Sequence, residues 1–127
     1  DEIGAELDLV TIDVSFISLE LIIPNAGKLL TPTGKILTLV KPQFEAGPEK
    51  VEKGGVVPDA ETHREVLLEV KQFAASEGLP VSNCTYSPIQ GKSSSNIEYF
   101  FLLEQSGDGL SEEEIAEVVD RAHDHFS

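Results

Sequence analysis

No methionine occurs in the 127 residues, and the chain begins with Asp1. Because translation starts at methionine, we expect that Asp1 is not the natural first residue and that a segment precedes it. The start, Asp1 to Gly4, lacks the charged and apolar layout of a signal peptide. No apolar run approaches the roughly 20 residues that span a bilayer. The sequence therefore predicts a soluble, cytoplasmic protein.

Cysteine is nearly absent, since Cys84 is the single one. One cysteine cannot form an internal disulfide, and no neighbouring cysteines accompany it as metal ligands, so we interpret Cys84 as a half-buried strand residue in a reducing compartment. His123 and His125 are too few and too close to the chain end to indicate a metal site. The sequence predicts no metal.

Basic residues are scarce, with 9 Lys and Arg against 23 Asp and Glu and a net charge of −14. A protein that grips nucleic acid normally presents a basic face to the phosphates. We therefore expect the chain alone to bind RNA poorly. Lys50, Lys53, His63 and Arg64 lie in or after the long loop and could touch phosphate, although a solvated loop is the better explanation for them.

The apolar pattern alternates between strands and helices. Short β-branched runs predict buried strands, and apolar positions with helical spacing predict amphipathic helices. The predicted strands are 7–12, 35–40, 81–87 and 97–103; the predicted helices are 18–30, 59–77 and one beginning at 111, with a turn at 31–34 and a long loop at 43–58. This order indicates an α/β fold with a mixed sheet, an antiparallel last strand, helices on both faces and one uncovered sheet edge.

Three charged residues fall next to predicted strand ends. Asp13 and Lys41 directly follow apolar strands, and Glu98 lies at the start of a strand that runs the opposite way. Topology therefore predicts that all three share one rim of the sheet. Each could simply be the first solvated position beyond a strand. Together they predict a lysine that is oriented by carboxylates and serves as a general base toward an alcohol.

Several motifs resemble the TlyA (haemolysin A) family of FtsJ-like ribosomal RNA methyltransferases. The resemblance covers roughly residues 7–104 and is carried by DLVTIDVSFISL (Asp8–Leu19), LVKPQFEAG (Leu39–Gly47), KGGVV (Lys53–Val57) and SPI (Ser87–Ile89). It implies a Rossmann-like S-adenosylmethionine-dependent methyltransferase fold, of which this chain would be the carboxyl-terminal half. It also implies methyl transfer to a ribose 2′-hydroxyl of ribosomal RNA or a ribosomal subunit.

The resemblance also implies residue roles. Such enzymes use a Lys-Asp-Lys-Glu tetrad, in which Asp13 would match the aspartate, Lys41 the second lysine and Glu98 the glutamate. Lys41 would act as the general base, and Asp13 and Glu98 would orient it. Asp13, Val14, Ser15 and Phe16 would border the cofactor, although Ser15 and Phe16 could instead be turn and packing residues.

The sequence departs from the family pattern in several places. It contains no counterpart of the glycine-rich cofactor loop, the first tetrad lysine or the basic RNA-binding domain, and Ser95 stands where glycine is usual. We expect the first three to lie upstream of Asp1, and the isolated chain to be inactive. We assign residues 1–105 to the methyltransferase domain and 106–127 to a helical extension.

Two other function classes remain open at this point. The family name suggests a haemolysin-like, membrane-active protein, which the acidic composition argues against. The uncovered sheet edge is compatible with a non-catalytic binding module that forms a homodimer.

Overall fold

Strands and helices follow one another along the chain in the order that the sequence predicts. The structure is a computed structural model that describes residues 7–13, 19–42, 60–87 and 97–126. Within these ranges the order is β1 (Leu7–Ile12), α1 (Leu19–Gly27), β2 (Leu30–Val40), α2 (Ala60–Ser76), β3 (Val81–Tyr86), β4 (Tyr99–Glu104) and α3 (Glu112–Phe126). The predicted first residue of the second helix, Asp59, and the predicted loop 43–58 lie outside the described residues.

The described strands form one mixed sheet in the order β1-β2-β4-β3. Strand β1 runs parallel to β2, whereas β4 is antiparallel to both β2 and β3. This confirms the predicted mixed sheet with an antiparallel last strand. Strand β1 lies at one edge, where Leu9 is 54 % exposed; pairing of two copies along that edge stays a prediction.

The three described helices all lie on one face of the sheet, whereas the sequence predicted helices on both faces. Buried residues of β2 and β4 are register partners on one face, and α1, α2 and α3 contact one another in succession as well as the sheet. The reason is topological. The crossovers from β1 to β2 and from β2 to β3 advance in the same direction across the sheet, and two right-handed crossovers in one direction place their helices on the same face.

The opposite face of the sheet is apolar and half-buried. A groove of about 240 Å³ on this face is lined by Leu37, Phe100 and Leu102 together with Asn83, Cys84 and Thr85. The main core lies on the helical side, where α2 contributes Val66, Leu67, Val70 and Ala74 and α3 contributes Ile115, Val119 and Ala122.

Helix α2 ends, and helix α3 begins, close to where the sequence predicts. Gly78 follows α2 with a φ of 78°, the left-handed conformation in which glycine commonly terminates a helix. At the start of α3, the amide of Ser111 donates to Glu114 Oε1 (2.9 Å) and the amide of Glu114 donates to Ser111 Oγ (3.1 Å). This reciprocal pair is a capping box, which satisfies two amides that the helix itself cannot.

Strand β2 is longer than the sequence predicts. The segment Thr31–Gly34 was predicted as a turn but lies inside β2, where Leu7 pairs with Leu30 and Leu9 pairs with Lys35. The pairing thus skips several residues of β2, so the turn-forming residues produce an irregularity within a strand. Gly34 permits it, because a Cβ there would lie 2.8 Å from the carbonyl oxygen of Leu7.

We predict that Gly34→Ala destabilises the fold. The added methyl group would meet backbone at a distance that real Cβ atoms do not occupy, and such overpacking typically costs about 1–3 kcal/mol of unfolding free energy. Urea unfolding measures the loss. The control is Thr33→Ala, at an exposed position of the same segment, which should stay close to wild type. An unchanged midpoint for Gly34→Ala would contradict the close approach.

We predict that Cys84 is unreactive in the folded chain. The thiol is free and buried, and burial raises its pKa from 9.0 to about 12. The reactive thiolate is therefore scarce at pH 8. Thiol-specific alkylation followed by mass spectrometry should show slow labelling in buffer and one full equivalent in 8 M urea, which serves as the internal control. Rapid labelling without denaturant would mean that β3 opens readily.

Candidate active site

Strands β1 and β2 end at the same rim of the sheet. Because the two strands are parallel and Ile12 pairs with Thr38, the residues that follow them, Asp13 and Lys41, emerge side by side. Lys41 Nζ lies 2.6 Å from Asp13 Oδ1. The lysine side chain is 13 % exposed and the aspartate side chain 65 %. The predicted neighbours thus form an ion pair between a largely buried lysine and an accessible aspartate.

Glu98 reaches this rim from the opposite chain direction. It directly precedes Tyr99, which pairs with Val40, the residue before Lys41. The backbone carbonyl of Glu98 accepts a hydrogen bond from the amide of Ser87 at 2.8 Å, which holds this position between the ends of β2 and β3. We refer to Asp13, Lys41 and Glu98 as the rim site.

Several other predicted site residues belong to parts of the chain that the structure does not describe. Val14, Ser15 and Phe16, which would border a cofactor, lie outside the described residues, as do Lys50, Lys53 and Ser95.

A groove between β1 and α1 opens beside Asp13. It has a volume of about 390 Å³ and is lined by Asp13 with Val10, Thr11 and Ile12 of β1 and Ile22, Asn25, Ala26 and Leu29 of the α1 region. Small-molecule clefts typically have volumes of about 300–1,000 Å³ and combine apolar walls with a few polar groups. The rim site therefore adjoins a groove with the size and character of part of such a cleft.

His63 is not an RNA-facing residue, contrary to the suggestion from sequence. It is 1 % exposed, because it lies on the same helical stripe as Val66, Leu67 and Val70. Its neighbour Arg64 remains partly exposed and pairs with Asp120 of α3 at 3.2 Å.

His63 belongs instead to a polar cluster that the sequence did not reveal, in which His63 and Tyr99 are buried and His123 is half-buried. Its Nδ1 lies 2.9 Å from the hydroxyl of Tyr99 and 3.0 Å from Nε2 of His123. We call these three residues the histidine–tyrosine cluster. Burial raises the pKa of Tyr99 above its ordinary value, and the neighbouring Cys84 and Asp120 raise it further, so its hydroxyl stays neutral. The helical spacing of His63 and His123 with buried apolar residues was the available signal.

Two kinds of feature are not found among the described residues. In ranges 7–13, 19–42, 60–87 and 97–126, no three His, Cys, Asp or Glu side chains are grouped so as to hold a metal ion. None of the helices in the described part of the chain combines the length and apolar character that crossing a bilayer requires.

Known proteins resemble this chain over nearly its whole length. It is 46 % identical over 121 residues to a Bacillus subtilis protein, YqxC, that is named as a candidate rRNA methyltransferase; the match covers 91 % of this chain and 43 % of the relative. It is 37 % identical over 123 residues to the 16S/23S rRNA (cytidine-2′-O)-methyltransferase TlyA of Mycobacterium tuberculosis, covering 96 % and 46 %. The chain thus spans less than half the length of these curated relatives.

The fold is also that of a solved structure. A Streptococcus thermophilus protein, titled as a candidate hemolysin, superposes with a TM-score of 0.87 at 43 % identity, covering 94 % of this chain and 43 % of the other. The family model of FtsJ-like methyltransferases matches residues 1–105, the part that contains the sheet and all three residues of the rim site. The chain therefore belongs to the FtsJ-like methyltransferase family.

Proposed function

We propose that this chain forms part of a ribosomal RNA ribose 2′-O-methyltransferase in which Lys41 is the general base. The observation that carries the proposal is the ion pair between Lys41 and Asp13 at a rim of the sheet that Glu98 also reaches. The relatives' names add support, since the Mycobacterium tuberculosis protein is named for 2′-O-methylation of 16S and 23S rRNA.

Lys41 is suited to take a proton from an alcohol because its position is fixed. Its side chain is largely buried, and Asp13 holds the amine at one end. A proton acceptor must lie within hydrogen-bond reach of the hydroxyl, and pre-set geometry lowers the entropic part of the barrier. In the proposal, the amine accepts the 2′-hydroxyl proton as the oxygen forms its new bond to carbon.

Asp13 and Glu98 stabilise the charge that this step creates. When the amine accepts a proton it becomes an ammonium ion, and a carboxylate already 2.6 Å away lowers the energy of that charge without reorganising. The ion pair between Lys41 and Asp13 corresponds to this protonated form. Glu98 adds a second negative group on the β4 side and orients the lysine from there.

Methyltransferases of this family generally use S-adenosylmethionine, which supplies an electrophilic methyl group on a sulfonium and leaves as a neutral thioether. The groove beside Asp13 supports a cofactor site here, because its volume of about 390 Å³ lies in the range that is typical of small-molecule clefts. We propose that Asp13, Val14, Ser15 and Phe16 border its methionine end. Asp13 would then contribute to both the cofactor groove and the base.

We propose residues 1–105 as the methyltransferase part and residues 106–127 as a helical extension. The family match ends at residue 105, while α3 beyond it contributes Ile115, Val119 and Ala122 to the core. The extension is therefore packed onto the domain and not merely appended to it.

We predict that Lys41→Ala abolishes most methyl transfer. General bases typically contribute about 10²- to 10⁴-fold to rate, so the single-turnover rate should fall by at least about 100-fold. Because the chain spans 43 % of the Bacillus subtilis relative, the assay uses a chimera in which this chain replaces the matching segment. Transfer of labelled methyl groups to ribosomal RNA measures the rate, and nuclease digestion shows whether the ribose 2′-oxygen carries the label.

The matched control for Lys41 is Lys35→Ala. Lys35 lies on the same strand, where it pairs with Glu104 at 3.7 Å and is 47 % exposed. Its removal deletes an equal charge and should leave the rate near wild type. Undiminished transfer in Lys41→Ala, or equal losses in both variants, would remove Lys41 from the proposed mechanism.

We predict that the 127-residue chain by itself neither binds S-adenosylmethionine measurably nor transfers methyl groups. Its sequence contains no Gly-x-Gly-x-x-Gly loop of the kind that holds nucleotide cofactors, and its charge of −14 opposes RNA binding. Isothermal titration calorimetry compares the chain with the chimera. A micromolar dissociation constant for the chain alone would contradict the prediction.

A further inference from the structure

We propose that His63, Tyr99 and His123 are positioning residues for the rim site. They anchor the start of β4, and the contact between the two histidines breaks when both imidazoles are fully protonated. For its catalytic consequence the proposal rests on the proposed function, whereas its structural part stands separately.

The cluster joins three elements of the fold. His63 lies in the first turn of α2, Tyr99 is the first residue of β4, and His123 lies in the last turn of α3. His63 and Tyr99 are 1 % and 0 % exposed. Polar groups this deeply buried cost free energy unless they are hydrogen-bonded. The cluster therefore holds the ends of α2, β4 and α3 together at one point.

That point is one residue from the rim site. Tyr99 pairs with Val40 on one side and with Tyr86 on the other. Glu98 immediately precedes Tyr99, and Lys41 immediately follows Val40. A shift of Tyr99 would move the backbone that carries Glu98 and disturb the end of β2 that carries Lys41. The histidine–tyrosine cluster thus controls where these two charged groups lie relative to one another.

The contact between the two histidines has room for one proton. His63 Nδ1 and His123 Nε2 are 3.0 Å apart, so only one of the two nitrogens can carry a hydrogen between them. A fully protonated imidazole carries hydrogens on both of its nitrogens. If both rings were protonated, two N–H groups would face each other and the contact would break. One ring at most can therefore be positively charged while the cluster is intact.

Other charged and titratable groups surround the cluster. From α2, Arg64 pairs with Asp120 of α3, which also acts on Tyr99. From β3, Cys84 is buried beside Tyr99. The opposite charges of Arg64 and Asp120 offset each other. Cys84 and Tyr99 stay neutral at physiological pH because their pKa values are raised. Within the described residues, the two histidines are therefore the groups of this cluster that change charge between pH 5 and 8.

Acidification should release the anchor. Histidines in an unfolded chain take up protons near pH 6.5, about one each, whereas the intact cluster accepts only one for the pair. Below that pH the unfolded state binds more protons, so the equilibrium constant for unfolding rises with acid, by about tenfold per pH unit for one excluded proton. The contribution of the cluster is complete above about pH 7 and is lost as the pH falls.

The first experiment follows imidazole and lysine signals by NMR in the 127-residue chain between pH 8 and 5. We expect His63 and His123 to titrate as a coupled pair that takes up one proton while folded. We expect the Lys41 Cε and Glu98 amide signals to shift with the pair. Full protonation of both rings with unchanged Lys41 and Glu98 signals would overturn the proposal.

The variants separate positioning from folding. Tyr99→Phe keeps the ring and removes only the hydroxyl, and His123→Gln keeps a hydrogen-bonding group without a titrating ring. Both should shift the Lys41 and Glu98 signals at pH 7.5. The control is His125→Gln. His125 lies in the last turn of α3, as His123 does, but it is exposed and contacts Tyr86 and Phe126. This variant should leave the Lys41 and Glu98 signals unchanged.

The same variants in the chimera give the catalytic readout. We expect Tyr99→Phe and His123→Gln to lower kcat by about tenfold with little change in the KM for S-adenosylmethionine, since a misplaced base affects the chemical step. If the wild-type chimera transfers no methyl groups while the NMR shifts occur, the proposed function fails and the anchor stands. If the chimera is active and both variants retain wild-type kcat and signals, the anchor fails.

Discussion

Strand β4 inserts between β2 and β3 and runs antiparallel to both, and most of the molecule depends on that insertion. It pairs Tyr99 with Val40, which brings the beginning of one strand to the end of another. A carboxylate from position 98 can therefore approach a lysine from position 41. With a parallel fourth strand, Glu98 would lie at the opposite end of the sheet, and the three charged residues would not share a rim.

The ion pair between Lys41 and Asp13 illustrates how the fold sets local chemistry. Surface pairs of this kind contribute little to stability, because water screens them and both side chains lose freedom. Here the lysine is 13 % exposed, so it is held by its surroundings as well as by its partner. A fixed amine beside an accessible carboxylate is more useful for orienting a reacting group than for stabilising the domain.

The core contains few polar groups, and one set of them lies behind the rim site. The interior on the helical face is almost wholly apolar, with Thr38, Thr62 and His63 as its buried polar residues among those described. His63 reaches Tyr99 and His123, which are 36 and 60 positions away. Burying such groups costs free energy that an apolar packing would avoid. Their place directly behind the rim is the basis for the proposal that they anchor the strand end that carries Glu98.

Much of this protein was determined by its sequence alone. Apolar periodicity, the Ser111–Glu114 capping pattern and Gly78 defined the elements to within a few residues, because these signals act over one or two turns of chain. The strand order in the sequence also placed Asp13, Lys41 and Glu98 at one rim, because the ends of strands gather at the rims of a sheet. The roles of these residues in catalysis remain proposals.

Tertiary structure alone decided the rest. It placed the three described helices on one face, absorbed Thr31–Gly34 into β2 and turned His63 inward. Each of these outcomes depends on partners far away in sequence: the direction of successive crossovers, the carbonyl of Leu7 beside Gly34, and Tyr99 and His123 beside His63. Local pattern cannot encode such distant contacts, because the same residues form turns or solvated surfaces when the partner is absent.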